Sequence, residues 1–209
     1  MSKKNEVLTN ASSGRLIDIK TIAKIGILSA IAALLMLLEF PLVFVPGFYK
    51  LDFSEVMVLL GAFSMGPVVG IIIEAIKIVL NFALDGTTTA GVGEMANFII
   101  GCSFVVPAAL IYKRHKTRKG AVIGMIVGII VNTIIAAFMN YYVLIPVYSV
   151  VYGMPLDVII GMGTKVNPNI TNLNQLILFA TIPFNLLKGT VASAITFLSY
   201  KRVSKLLHS

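Results

Sequence analysis

Gly61-Ala-Phe-Ser-Met-Gly-Pro67 interrupts an apolar stretch that otherwise runs from Val56 to Leu84. This heptapeptide determines how many helices the stretch holds. A membrane-spanning helix takes about 20 apolar residues, so the uninterrupted stretch is too long for one ordinary span. Glycine closes a helix and proline opens one, with Pro67 in the first turn of the next. The break therefore predicts a short second helix over 54–65 and a third over 67–84. Working outward, a first span runs over 21–40 and ends at Pro41. A fourth covers 93–112, a fifth covers 120–145 and ends at Pro146, and a sixth covers 174–200. The expectation is an all-α integral membrane protein with six transmembrane helices in one bundle.

Charge placement tests the break independently. Lys3, Lys4, Arg15, Lys20 and Lys24 precede or open the first span. Lys113, Arg114, Lys116, Arg118 and Lys119 fill the connection between spans four and five, and Lys201, Arg202 and Lys205 follow span six. Thirteen of the 17 Lys and Arg residues thus fall on one side of a six-span chain. The other side receives Lys50 and Lys165, while Lys77 and Lys188 lie within spans. The excess of cations on cytoplasmic loops places both termini in the cytoplasm. Merging spans two and three would put the basic connection and the tail opposite the amino terminus, so the charges favour the break.

Composition agrees. Only 12% of the 209 residues are charged and 57% are hydrophobic, whereas a soluble domain carries about 25% charged residues. An ordinary soluble enzyme, a disordered chain and a nucleic-acid binder are excluded. The net charge of +8 reflects topology rather than a polyanionic partner. The lone Cys102 excludes an intrachain disulfide and a multi-cysteine metal site. His115 and His208 both sit in basic, solvated segments, so no metal site is expected. Residues 1–20 are polar and lead into a full-length span without a cleavage signal. They are read as a cytoplasmic tail, 21–200 as the transmembrane domain, and 201–209 as a basic cytoplasmic tail. The outer segment 146–173 is read as a loop, either a plain surface connection or a cap over a pocket.

Polar residues inside a bilayer carry a cost and call for a reason. Asn185 and Lys188, in Pro183-Phe-Asn-Leu-Leu-Lys-Gly189, are three apart and share a helix face. They suit a polar ligand buried in the bundle, or Lys188 serves a structural pair with a carboxylate. Glu74 and Lys77 form a possible intrahelical ion pair, with Asn81 beyond them. Glu94 and Asn97 follow the glycine- and threonine-rich run 86–93 at the outer start of span four, either as ligand groups or as part of a capped helix start. That run lacks the lysine of a phosphate-binding Walker loop. Asn140, beside Tyr141 and Tyr142, is read as a contact for a flat heterocycle and Asn132 as a packing amide. The outer loop Pro41-Leu-Val-Phe-Val-Pro-Gly-Phe-Tyr-Lys-Leu-Asp-Phe53 is too apolar to stand free and is expected to fold over the bundle mouth, with Glu39 just beneath. Gly26/Ala30 and Ser29/Ala33 repeat small residues at spacing four, for close helix packing within the chain or against a second membrane subunit.

Tyr49-Lys-Leu-Asp-Phe-Ser-Glu-Val56 and Gly61-Ala-Phe-Ser-Met-Gly-Pro67 resemble the first-loop and second-helix signature of riboflavin-specific S-components of energy-coupling factor (ECF) transporters. Ile73-Glu-Ala-Ile-Lys77, Gly91-Val-Gly-Glu-Met-Ala-Asn97, Asn140-Tyr-Tyr142 and Pro183-Phe-Asn-Leu-Leu-Lys-Gly189 continue the resemblance in order, over residues 20–200. The outer loop before span six is longer than in the family pattern. The resemblance implies a substrate-binding subunit that captures riboflavin from outside and joins a transmembrane coupling subunit and two cytoplasmic ATPases. Transport would proceed by toppling of the subunit in the plasma membrane. Riboflavin is then a transported ligand, and neither a cofactor nor catalysis is implied. Carried onto this sequence, the polar contacts are Glu39, Asn140, Asn185 and Lys188, with Glu94 and Asn97 as further candidates. Leu42, Val43 and Phe44 would cover the isoalloxazine ring, and the small face of Gly26, Ser29, Ala30 and Ala33 would meet the coupling subunit.

Two other classes compete. A stand-alone secondary transporter would show an inverted repeat with matching broken helices, and no such symmetry is seen. An intramembrane enzyme would need a nucleophile–base pair or a metal cluster. No histidine lies in a span and Cys102 has no base partner in sequence, which leaves only a carboxylate mechanism on Glu74 or Glu94.

Overall fold

The computed structural model describes residues 18–207, with side chains to Tyr200. The expected tail therefore lies outside the described residues through position 17, as does His208. The chain forms α1 (Ile19–Leu37), a two-residue antiparallel ribbon of β1 (Phe40–Pro41) and β2 (Lys50–Leu51), α2 (Ser54–Met65), α3 (Pro67–Asp85) and α4 (Val92–Arg114). It continues through α5 (Arg118–Met139), α6 (Ile145–Val151), α7 (Leu156–Val166), α8 (Leu173–Leu176) and α9 (Ile182–Leu207). One π-helical turn, Asn140–Leu144, joins α5 to α6, and another, Ile177–Thr181, joins α8 to α9.

The break at 61–67 is real. Gly66 ends α2 with φ +104°, a backbone region that suits glycine, and Pro67 opens α3. The two helices on either side are unequal. Five helical runs among the described residues are long and apolar enough to cross a membrane: α1, α3, α4, Arg118–Val151 and Leu173–Tyr200. The 12-residue α2 spans about 18 Å at 1.5 Å per residue, less than a bilayer core of about 30 Å. It is enclosed by its neighbours, with Val58, Leu59 and Leu60 fully buried.

Two expectations about span ends are corrected. Pro146 does not terminate the fifth helix, which runs unbroken from Arg118 to Val151. The π turn before it absorbs the irregularity, and Pro146 falls in the first turn of α6, where a missing N–H is tolerated. Pro183 stands in the same relation to the second π turn. The segment 146–173 is also not a plain loop, because it holds most of α6 and all of α7.

The core has two parts. One joins α1 to α5, with Leu28, Leu59, Ile73, Phe104 and Met125 among its members. The second sits at the opposite end from the basic connection 113–119. There Val45, Tyr49 and Leu51 of the first loop pack on Ile145, Ile159, Ile170, Leu176 and Phe184. The small residues of α1 divide: Ser29 and Ala33 are buried in the bundle, while Gly26 and Ala30 face outward. A stronger small-residue seam lies elsewhere. A Cβ on Gly124 or Gly128 of α5 would come within 2.6 Å of the Ala108 or Phe104 carbonyl oxygen of α4, so these glycines set how closely the two backbones pack.

Candidate functional site

A cavity of about 670 Å³ opens between the first loop, the starts of α4 and α9, and α5–α7. This is within the size range of small-molecule sites, about 300–1,000 Å³. Glu39, Glu94, Asn97, Asn140, Asn185 and Lys188 all line it. Leu42, Val43 and Phe44 do not. Val43 is 96% exposed, Phe44 is also exposed, and Leu42 packs against the second core cluster. The first loop instead presents Gly47, Phe48, Tyr49 and Lys50 to the cavity.

Two asparagines are held by the helix irregularities. Asn140 opens one π turn and donates from Nδ2 to the Ala136 carbonyl at 2.8 Å. Asn185 lies just past the other and donates to the Thr181 carbonyl at 2.8 Å. In each case one amide hydrogen is spent on the preceding turn, which fixes the side chain. The Tyr49 hydroxyl donates to Asn140 Oδ1 at 3.2 Å and lies 2.5 Å from Thr181 Oγ1. Since that phenol proton goes to Asn140, the Thr181 hydroxyl is the donor in the second contact. Burial pushes the Tyr49 phenol well above its ordinary pKa, against the Thr181 hydrogen bond, so it remains a donor. One tyrosine on the first loop thereby ties together both π turns. Asn132, read as a packing amide, donates across to the Ile100 carbonyl of α4 at 2.8 Å and also borders the cavity.

A line of buried charge runs inward from the cavity wall, where Asp52, Glu55 and Lys188 stand. Lys188 Nζ meets Asp52 Oδ2 at 2.6 Å. Asp52 Oδ1 accepts from the Ser54 backbone N–H at 2.8 Å and from its hydroxyl at 2.5 Å. Burial alone would raise the Asp52 carboxyl, but Lys188, then Lys77, and the Ser54 hydroxyl outweigh it and hold the group at about 2. Lys77 Nζ lies 2.7 Å from Glu55 Oε1 and 2.8 Å from Glu74 Oε1, with Ser54 Oγ at 3.3 Å. The Glu74–Lys77 pair read from sequence is thus one arm of a wider cluster. Among the described residues, Glu55 Oε2 and Glu74 Oε2 have no hydrogen-bond partner. Room for these carboxylates depends on Gly101, where a Cβ would stand 2.2 Å from Glu74 Oε1.

At the mouth, Lys50 pairs with Glu39. Thr89 Oγ1 donates to Glu94 Oε2 at 3.2 Å, and the Tyr152 hydroxyl donates to Thr88 Oγ1 at 2.9 Å. Met154, Ile159 and Met162 bring the segment 146–173 into the wall. Tyr49, Asp52 and Glu55 received no site role from sequence, although all three stand within Tyr49–Val56. The available signal was a phenol and a carboxylate in an apolar outer loop, Tyr49 and Asp52, with Glu55 in the first turn of α2. Their partners lie 91 and 136 residues away, which no local pattern shows. The described residues contain no group of three His, Cys, Asp or Glu able to hold a metal ion.

Residues 20–200 match the family model of the ECF transporter substrate-specific component. The riboflavin transporter RibU of Staphylococcus aureus (strain TCH60) is 37% identical over 188 residues, 90% of this chain and 92% of that protein. The riboflavin transporter FmnP of Bacillus subtilis (strain 168) is 32% identical over 178 residues, 85% and 88% of the two chains. Among solved structures, the S component of a bacterial ECF transporter superposes with a TM-score of 0.69 at 36% identity, covering 91% of this chain and 98% of that one. These relatives are transport proteins, not enzymes. The chain is a membrane protein of the family of substrate-specific components of ECF transporters.

Proposed function

We propose that this chain is the riboflavin-binding subunit of an ECF importer, capturing riboflavin from outside the cell. The observation that carries the reading is the cavity itself: one recess in which Asn140, Asn185, Glu94, Asn97 and the Lys188–Asp52 pair converge among aromatic side chains. Two full-length relatives are named riboflavin transporters, and the lining chemistry suits that ligand.

Riboflavin joins a flat ring, edged with imide-like donors and acceptors, to a polyhydroxyl ribityl chain. Asn140 and Asn185 each keep amide capacity beyond the hydrogen bond that fixes them, which suits the ring edge. Phe48, Tyr148 and Phe184 offer faces and edges for the ring. Glu94, Asn97 and Glu39 are acceptors for ribityl hydroxyls, and Lys188 has donors left after Asp52. Leu42, Val43 and Phe44 would join in covering the ring through movement of the first loop.

The cavity lies at the end away from Lys113–Lys119. With the basic end inside, it faces outward and both termini are cytoplasmic. The chain then crosses the plasma membrane six times, with α2 as a short buried crossing supported by its neighbours. Energy comes from elsewhere, since the sequence holds no Walker motif: a coupling subunit and two ATPases, with Gly26 and Ala30 on the outward face of α1 available for close helix contact. Riboflavin is cargo in this scheme and not a resident cofactor.

The test is the absorption spectrum of the chain purified in mild detergent from cells given no ligand. A flavin spectrum, with riboflavin released on denaturation, is expected. A colourless protein that also fails to quench added riboflavin fluorescence would refute the substrate. Uptake in cells lacking the coupling subunit or the ATPases would refute the partner-driven scheme.

A further inference from the structure

A second cavity, of about 440 Å³, lies at the other end of the bundle, between α2, α4, α5 and α9. Eighteen residues of α4 separate Tyr112 on its wall from Glu94 at the first cavity, about 27 Å along the helix axis. Three rings form one wall: Phe63 and Tyr112 with centroids 4.7 Å apart, and Tyr200 edge-on to Tyr112 at 5.7 Å. Lys116 and Arg118 line the rim and are exposed. No carboxylate among the described residues forms a salt bridge with either.

Inside, Thr196 is fully buried, and its hydroxyl has no hydrogen-bond partner among the described residues. Thr190, on the same helix, makes the usual bond back to the Leu186 carbonyl at 2.6 Å. Of the buried hydroxyls among the described residues that have no partner, Ser29, Ser193 and Thr196, only Thr196 borders this cavity, so it is the one an occupant can satisfy. Phe197 and Leu198, also lining the cavity, are exposed on the apolar outer surface of α9.

Cations at the rim, an unspent hydroxyl within, and an apolar flank at the ends of membrane-length helices fit one kind of occupant. We propose that this cavity binds the phosphate head group of an anionic phospholipid. The phosphate meets Lys116, Arg118 and the Thr196 hydroxyl, and an acyl chain follows Phe197 and Leu198. A soluble phosphate would use the polar groups and leave the apolar flank bare. Juxtamembrane cations near a leaflet each contribute about fivefold to binding of acidic lipid, and Lys113, Arg114 and Lys119 adjoin the rim in sequence.

The test is native mass spectrometry of the full chain, delipidated in detergent and titrated with phosphatidylglycerol or phosphatidylcholine of matched chains. The expected result is a preference of about tenfold or more for phosphatidylglycerol. The double variant Lys116→Gln, Arg118→Gln abolishes the preference, and Thr196→Val, nearly isosteric, weakens it. Thermal unfolding checks that each variant is folded. Equal binding of the two lipids by the parent chain would overturn the proposal, as would an unchanged preference in the folded double variant. Displacement of bound phosphatidylglycerol by millimolar inorganic phosphate would assign the site to soluble phosphate instead.

Discussion

Tyr49 shows why a site residue can be read in sequence and still be given no role. Its neighbours in Tyr49–Asp52 are legible as an outer loop, but its partners Asn140 and Thr181 are remote. Tyr49→Phe removes the donor to a buried amide oxygen. It should cost about 1–3 kcal/mol of stability, the usual result of leaving a buried polar group unsatisfied, read as a lower unfolding temperature in detergent. Gly101→Ala presses a methyl into Glu74 and should cost a similar amount, about 1–3 kcal/mol, by overpacking. The folded yield and unfolding temperature would show it. Asp52 sets a pH dependence. Its folded pKa, about 2, lies below the ordinary 3.8, so its stabilisation is present above pH 3.8 and is lost as pH falls towards 2. That contribution is on the order of 2 kcal/mol. Unfolding temperatures of the parent and Asp52→Asn should differ at neutral pH and converge in strong acid. A constant gap down to pH 2 would contradict the Lys188 pairing.

At the scale of elements, helix positions were legible because glycine, proline and apolar length are local signals. The boundary at Gly66–Pro67 appears where those residues require it, and α2 matches its expected range of 54–65. The course of the chain through Pro146 was not legible, whereas Pro183 was read inside its span, 174–200, and lies within the run Leu173–Tyr200. A π turn leaves no residue signature of its own, so proline was read as a stop where the structure widens the turn before it and carries on. The segment 146–173 read as loop although Leu156–Val166 is helical, because its glycines at 161 and 163 argue locally against a helix. The π turn between α5 and α6 has a consequence for the site. Inserting one alanine after Val143, beyond the residue the widened turn already absorbs, should turn α6 by about 100° relative to α5, carrying Tyr148 and Tyr152 away from the cavity. Riboflavin binding should fall at least tenfold while circular dichroism keeps its helical signal. Unchanged affinity would mean that the π turn does not position these groups.

For the whole molecule, charge pattern and structure bear on the same question from different sides. A six-span reading of the sequence puts thirteen cations on one side, and the described residues place the lined cavity away from the basic connection 113–119. In intact cells, a membrane-impermeant maleimide should fail to label Lys116→Cys until the membrane is permeabilised, with Cys102→Ala as background. Labelling of intact cells at 116 would invert the topology. Of the site, the six polar residues were legible because polarity inside a span is conspicuous. Which apolar first-loop residues border the cavity was not, because any of them fitted the pattern, and only folding separates Phe48, on its wall, from the exposed Val43 and Phe44. Everything proposed for transport depends on this cavity holding riboflavin. That is tested most directly by fluorescence-quenching titration of riboflavin into the parent chain and into Asn140→Ala, Asn185→Ala and Lys188→Ala. Saturable one-to-one binding is predicted, with each substitution weakening it by about 1–3 kcal/mol. Binding that survives all three substitutions unchanged, or no binding by the parent chain, would contradict it.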